Sequence, residues 1–296
     1  MRKKRLLIIG CGDVVRRALP WLSQRFQLFA LVRSIEQPAL RAAGVHLLHG
    51  DLDDRTSLKR LAGLADYVLH SAPPSAEHPE DLRTVRLCQA LGRPRRKGMV
   101  SHPPRHAVYI STSGIYGDCQ GARIDETHPA EPESARAKRR VSAERTLRRW
   151  AQRQSIQLAI LRAPGIYAED RLPLERLLRG TPVLHQAEDS FSNHIHADDL
   201  AKICCLALFR GRPLRSYNAS DDCPVKMGDW FDALANTYQL PLPQRICRQE
   251  APALVGTSLW SFMRESRQLD NQRMKTELRV RLKHPCALDF VKNEGV

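Results

Sequence analysis

Short apolar runs alternate along this chain with longer amphipathic stretches, and the alternation predicts most of its elements. Leu6–Ile9 is an apolar run of four, too short for a helix and suited to a strand buried on both faces. Gly10-Cys11-Gly12 ends it, and a helix-compatible segment runs from about Asp13 to Gln24. Phe26–Val32 reads as a second buried strand, Gln37–Ala43 as a short helix stopped by Gly44, and Val45–Leu48 as strand three. Thr56–Leu64 carries an amphipathic helix pattern, Tyr67–His70 is strand four, and a helix follows around Glu80–Leu91. The basic, proline-containing Gly92–His106 reads as an exposed loop, Ala107–Ile110 as strand five, Ser142–Arg153 as a helix and Gln157–Arg162 as strand six. Pro173–Gly180 is a short helix, a helix begins around Asp198, Tyr217–Ala219 opens a last strand, and Met227–Tyr238 is amphipathic. Strands alternating with helices at this spacing predict an α/β fold with a parallel sheet and helices on both faces.

The first strand, its glycine turn and the next helix form the context a dinucleotide fingerprint needs, so the sheet is expected to be Rossmann-type and doubly wound. Gly10 and Gly12 let the backbone turn and let a phosphate approach. The amides opening the helix at Asp13, Val14 and Val15 lack internal partners and can hold a pyrophosphate beside Cys11. Val15 occupies the place of the fingerprint's third glycine, which serves helix–strand packing rather than phosphate contact. Strand two ends in Arg33-Ser34. An acid there would accept from the ribose hydroxyl of NAD, whereas Arg33 suits the 2′-phosphate of NADP, so NADP is preferred over NAD. Asp51 and Leu52 are placed to flank the adenine ring, and Ser71-Ala72-Pro73 forms a small-residue turn at the carboxyl end of strand four. A hydroxyl cluster, Ser111-Thr112-Ser113, stands at the carboxyl end of strand five, where parallel sheets bind ligands.

Composition narrows this further. At 296 residues the chain can hold one large domain or two unequal ones sharing a cleft. No apolar run approaches the roughly 20 residues of a membrane helix, and the basic opening MRKKR leads into too few apolar residues for a secretory signal. The eight cysteines are scattered without C-x-x-C, which predicts neither a zinc site nor a disulfide framework, and reduced thiols in the cytoplasm are expected. The net charge of +15 raises the question of nucleic acid. Its densest patches, Arg93–Lys97 and Arg136–Arg140, have no interleaved aromatics and read as solvated surface, so no nucleic-acid partner is expected. Asn193-His194-Ile195-His196-Ala197-Asp198-Asp199 invites a metal reading, but Asp198 and Asp199 fall where helix caps and first-turn acids belong, so no metal is predicted.

The succession GCGDV, VRS, GDLDD, YISTSGIYGD, DETHPAEP, AER, LRAPGIYAEDR, FSNHIHADDLA and YNASDD resembles the extended and atypical short-chain dehydrogenase/reductases, most of all the NAD-dependent epimerase/dehydratase branch. The resemblance implies that Thr112, with Ser113 beside it, polarises the oxygen of a small-molecule substrate. It implies that Pro164 and Tyr167 lie near the nicotinamide, that His194 and Tyr167 face the substrate, and that His196 and Asp198 order the cleft wall. It also implies a dinucleotide-binding domain over 1–165 with 192–219 returning to it, and a smaller substrate lobe from 166–191 and 220–296. A homodimer through paired helices is common in such proteins.

One departure is serious. Counting back from Ala143-Glu144, the positions of the family's acid/base tyrosine and its lysine hold Arg136 and Arg140. Arginine scarcely deprotonates and is a poor general acid. Either Tyr116 or Tyr167 transfers the proton from another strand end, or Arg136 or Arg140 gives electrophilic help by holding an anion, or the protein binds its cofactor without chemistry. Two readings follow: an NAD(P)-dependent oxidoreductase or epimerase-like enzyme acting on a hydroxyl or carbonyl carbon, and an NADP-binding sensor or interaction protein.

Overall fold

The structure, a computed structural model, describes residues 3–94 and 102–294. Most of the basic run Arg93–Lys97 therefore lies outside the described residues. Seven strands form one parallel sheet: β1 (Lys4–Ile9), β2 (Phe26–Val32), β3 (His46–His49), β4 (Tyr67–His70), β5 (His106–Thr112), β6 (Gln157–Ala163) and β7 (Arg215–Asn218). Their spatial order is β7-β6-β5-β4-β1-β2-β3, so the winding reverses between β1 and β4, where Ile9 lies level with His70.

The helices are α1 (Asp13–Arg25), α2 (Pro38–Ala42), α3 (Leu82–Leu91), α4 (Ala135–Gln154), α5 (Leu174–Leu178), α6 (Ala197–Arg210), α7 (Met227–Thr237), α8 (Ala251–Met263), α9 (Gln272–Glu277) and α10 (Ala287–Glu294). Side chains alternate across β1, which decides how they cover the sheet. Leu6 and Ile8 pack into the core shared with α1 and α6, while Leu7 and Ile9 pack into the core shared with α3 and α4. All four are essentially without solvent contact, worth about 1.5–3 kcal/mol each. Val15 belongs to the first of these cores, the packing role expected at the third-glycine position. A further cluster, including Tyr167, Leu177, Trp230, Phe231 and Phe290, joins α5, α7 and α10 beyond the sheet's carboxyl edge.

Four expectations need correction. Thr56–Leu64 forms only a 3-10 turn over Ser57–Leu61, because its buried residues Leu58 and Leu61 sit three apart, the period of that tighter helix. The helix expected from Ser142 begins at Ala135, capped by Ser134, whose hydroxyl accepts from the Ala137 amide. Its first turns are arginine- and lysine-rich, good helix formers that carry little apolar pattern. The acid cap expected for α6 is His196, whose Nδ1 accepts from the Asp198 amide at 3.2 Å. Cys223 and Cys286, 63 residues apart, are joined in a disulfide with a Cα–Cα distance of 5.0 Å. Thiols that distant in sequence meet only because the β7 exit and the start of α10 are packed together, which no local spacing announces. Among the described residues no helix is long and apolar enough to cross a membrane.

Candidate active site

The reversal between β1 and β4 opens a cleft of about 810 Å³ at the carboxyl ends of the strands, the place where open α/β sheets bind ligands. Its floor is the glycine turn. Gly10 has φ +90°, and a Cβ there would stand 2.6 Å from the Ala72 nitrogen. Only glycine fits. The β4 exit is tied to this turn: Ser71 Oγ donates to the Gly10 carbonyl at 2.6 Å, and the Ser71 and Ala72 amides donate to Ile9. Gly12 is the N-cap of α1, no side chain caps that helix, and a Cβ on Gly12 would meet nothing within 4 Å. The opening amides of α1 therefore face an open cradle with the dipole's positive end behind them.

Most of the predicted binding residues share this wall. Gly10, Cys11, Gly12, Asp13, Val14 and Val15 line the cleft from the turn, and Arg33, Ser34, Asp51 and Leu52 from the ends of β2 and β3. Ser71, Ala72 and Pro73 contribute from β4, and Thr112, Arg140 and Pro164 from the far side. Ser111, from the hydroxyl cluster expected at the end of strand five, lines it too, while sequence reasoning missed Arg16, Gln37, Arg83, Ile166 and Arg171 on the same wall. Arg16 had a signal, since it lies one helical turn beyond Gly12. Arg171 had none, because a loop from the far side of the sheet brings it to Asp13.

The charges are arranged unevenly. Asp13 accepts from Arg171 at 2.9 Å and from Arg17 at 3.0 Å. Burial works to raise its pKa, but these two guanidinium groups hold it below the ordinary carboxylate value. Burial pushes the Cys11 thiol up to about 11 against the pull of Arg16, so it stays protonated. Arg16 donates to the Cys11 carbonyl and to Gln37, and the exposed Arg33 reaches no side-chain partner among the described residues.

At the other end, Thr112 closes β5. Its Oγ1 accepts from the Gly114 amide at 3.2 Å, which leaves the hydroxyl proton free to donate into the cleft. Ser113, beside it, is buried and does not line the cleft. Arg140 reaches the wall from α4, and its Nη1 donates to the Tyr109 hydroxyl at 2.8 Å and the Ile110 carbonyl at 3.0 Å. Beneath this end lies a buried network. Ser111 donates to Glu144 at 2.6 Å, and Glu144 is paired with Arg162 at 3.1 Å and Arg148 at 2.9 Å.

Several predicted catalytic or substrate residues fall outside the cleft. Arg136 is drawn away to α8, its guanidinium 3.3 Å from the centre of the Phe262 ring and 3.2 Å from Ser261 Oγ. Tyr116 is 1 % exposed, donates to Asn218 at 2.7 Å and accepts from Arg162 at 2.8 Å. Burial pushes its pKa up to about 12 although Arg162 opposes this, so it is no acid/base group near neutrality. Tyr167 faces the outer cluster rather than the cleft, because alternation along the short strand Gly165–Tyr167 turns Ile166 to the cleft instead. Burial raises its pKa further still.

His194 and His196 are likewise buried, around Tyr167, Trp230 and Phe290. Burial brings His194 down to about 4 and lowers His196, the latter with help from His284. His196, Asp198 and His284 offer ligand atoms within 4.8 Å of one another. The Nδ1 of His196 is already an acceptor for the α6 cap, so its other nitrogen carries the proton and points towards Glu169 at 3.7 Å. The Asp198 carboxylate is held by Arg17 at 3.0 Å. That arrangement orders the wall behind the cleft and does not suit a metal.

A dTDP-glucose 4,6-dehydratase from Mycobacterium tuberculosis is 26 % identical over an alignment of 200 positions that covers 60 % of this chain and 58 % of that protein. One from Mycolicibacterium smegmatis is 25 % identical over 212 aligned positions, with 64 % of this chain and 61 % of the other covered. The match thus spans under two thirds of the length of these relatives. Among solved structures, a functionally unknown conserved protein from Silicibacter pomeroyi superposes with TM-score 0.79 at 26 % identity, covering 99 % of this chain and 98 % of that one. A dTDP-glucose 4,6-dehydratase from Streptomyces venezuelae, solved with NAD bound, gives TM-score 0.77 at 18 % identity over 98 % and 95 % of the two chains. The model of the NAD dependent epimerase/dehydratase family matches residues 20–220, more than half of the chain. The sheet order, the cradle at its switch point and this match agree: the chain belongs to the NAD-dependent epimerase/dehydratase family.

Proposed function

We propose that the protein is an NAD(P)-dependent oxidoreductase or epimerase-like enzyme that prefers NADP and acts on a hydroxyl or carbonyl carbon of a small molecule. The observation that carries this is the cradle itself: an uncapped helix start, a glycine turn no other residue could form, and Arg33 with Arg16 at the adenosine end. The opening amides of α1 would hold the diphosphate. Arg33 and Arg16 would hold a 2′-phosphate, since no acid stands at the end of β2 to accept from a ribose hydroxyl. Asp51 and Leu52 would flank the adenine. When bound, the nicotinamide supplies or accepts hydride.

The chain's own residues would then manage the oxygen of the reacting carbon. Thr112 donates its free hydroxyl proton to that oxygen, and the Arg140 cation beside it steadies the negative charge that develops. Neither needs to change protonation state, so the proton is exchanged with water rather than with a fixed side-chain acid. The lobe of residues 166–191 and 220–296 is assigned to substrate selection, and the cytoplasm to the site of action.

Calorimetric titration of the purified protein with NADPH and NADH tests the reading. Tighter binding of NADPH, by about tenfold to a hundredfold for a charge-assisted contact, is the expected outcome. Equal affinities would remove the role given to Arg33, and no binding of either coenzyme at millimolar concentration would overturn the proposal.

A further inference from the structure

Five arginines stand on the wall of the cleft, and they differ in whether a carboxylate neutralises them. Arg83 is paired with Asp53 at 2.5 Å and Arg171 with Asp13 at 2.9 Å. Among the described residues, no carboxylate lies within ion-pair distance of Arg16, Arg33 or Arg140. Two of these three stand at the adenosine end, where the coenzyme's own phosphates account for them. Arg140 stands at the opposite end, beside Thr112, and is half-buried. A guanidinium withdrawn from water without a counter-charge is costly unless an anion reaches it.

The geometry around Arg140 says where that anion would sit. One nitrogen, Nη1, is spent on Tyr109 and the Ile110 carbonyl, which fixes the plane of the group. The remaining N–H donors, which have no partner among the described residues, form a free edge of the fork, the shape that matches a carboxylate. Ile110 and Thr112 are two residues apart on β5, so the carbonyl that anchors Arg140 lies about 6.6 Å along the strand from Thr112. A molecule whose oxygen accepts from Thr112 would present a group one or two carbons away to that edge. Arg136 does not compete, because Phe262 and Ser261 hold it outside.

We infer that the substrate carries its own carboxylate next to the reacting carbon: an oxo acid or the corresponding hydroxy acid, with Arg140 as the residue that selects it. The inference rests on the coenzyme reading above and adds the substrate's class. It separates this chain from the relatives whose names specify dTDP-glucose, since nothing in a hexose ring at the reacting carbon would discharge Arg140.

Oxamate, a small mimic of a 2-oxo acid, and its neutral counterpart oxamide serve as probes, titrated by calorimetry into the protein saturated with NADPH. Oxamate is expected to bind and oxamide to bind at least tenfold more weakly. Arg140→Gln should weaken oxamate at least tenfold while NADPH affinity stays within about threefold. Arg140→Lys, which keeps the charge and loses the fork, should fall between, and thermal melts of both variants establish that they fold. Equal binding of oxamate and oxamide, or wild-type oxamate affinity in Arg140→Gln, overturns the inference and leaves the coenzyme reading standing. Loss of NADPH affinity rather than oxamate affinity in Arg140→Gln also overturns it, placing the guanidinium on the coenzyme instead. Failure of NADPH to bind at all overturns both.

Discussion

The two ends of the cleft are built from different materials. At the diphosphate end, on the proposed reading, the ligand would be met by main chain: the turn at Gly10, the open Gly12 and the uncapped amides of α1. At the reaction end, on the same reading, it would be met by side chains: Thr112, whose Oγ1 accepts from the Gly114 amide, and Arg140, anchored on Tyr109 and Ile110, with the Ser111–Glu144–Arg162 network buried nearby. A main-chain cradle tolerates almost any change that spares the glycines. A side-chain end can exchange one chemistry for another with a few substitutions, and here the tyrosine and lysine positions have become Arg136 and Arg140. If the proposed reading holds, the comparison teaches that coenzyme and reaction are separately specified, so a chain can keep the first and depart from its family in the second.

The largest effect that would test this division comes from the network beneath the reaction end. Glu144→Ala leaves Arg162 buried with no counter-charge and orphans the Ser111 hydroxyl, a loss of about 3–5 kcal/mol of stability. Denaturant unfolding measures it, and a loss under 1 kcal/mol would show that the network is not what holds the end together. The same residue gives a sign for pH. Burial favours its neutral form, but Arg162, Arg148 and the Ser111 hydrogen bond outweigh it and hold the carboxyl below its ordinary value of 4.5. Its folded pKa being depressed, its contribution is complete above about 4.5 and fades as the pH falls through the folded value. Acid unfolding of Glu144→Gln should accordingly be shallower than that of the wild type.

Next in size is the hydroxyl itself. Thr112→Val removes the donor to the substrate oxygen and keeps the shape, so turnover on an oxo acid should fall about 10²–10³-fold while NADPH affinity is unchanged. Unaltered turnover would move the polarising role to Arg140 alone. At the opposite end, Arg33→Asp places an acid at the end of β2 and should exchange the coenzyme preference, raising NADH over NADPH by about tenfold to a hundredfold. If that variant lost turnover without changing its preference, the two ends would not be separable.

The same division governs what could be read from the sequence. The diphosphate end was almost wholly legible because its parts are local: Gly10 to Val15 follow one another, and Arg33 and Asp51 stand at the ends of strands announced by apolar runs. Thr112 and Arg140 were reached by counting within motifs. Tyr167 and His194 fall away from the cleft because motif spacing does not say which face of a short strand a side chain takes. Alternation put Ile166, not Tyr167, on the cleft. Arg171 and the Cys223–Cys286 bond depend on chain segments distant in sequence, and such contacts belong to tertiary packing alone.

The smallest expected effect is an absence of one, and it bears directly on how the reaction end works. In a site that relies on a tyrosine made acidic by a lysine, the rate follows the ionisation of that pair. Here the groups nearest Thr112 and Arg140 lie outside the neutral range. Burial lifts Tyr109 to about 12 despite Arg140 beside it, and lifts Tyr116 likewise to about 12. His70, under the same strand ends, is brought down to about 3 by burial and by the Arg140 charge, and Cys11 is raised to about 11. None of these changes charge between pH 6 and 9. With an oxo acid as substrate, kcat/KM should therefore vary by less than about threefold across that interval. A limb with a midpoint inside the interval would reveal a titrating group at the reaction end, and the purely electrophilic role of Thr112 and Arg140 would have to be given up.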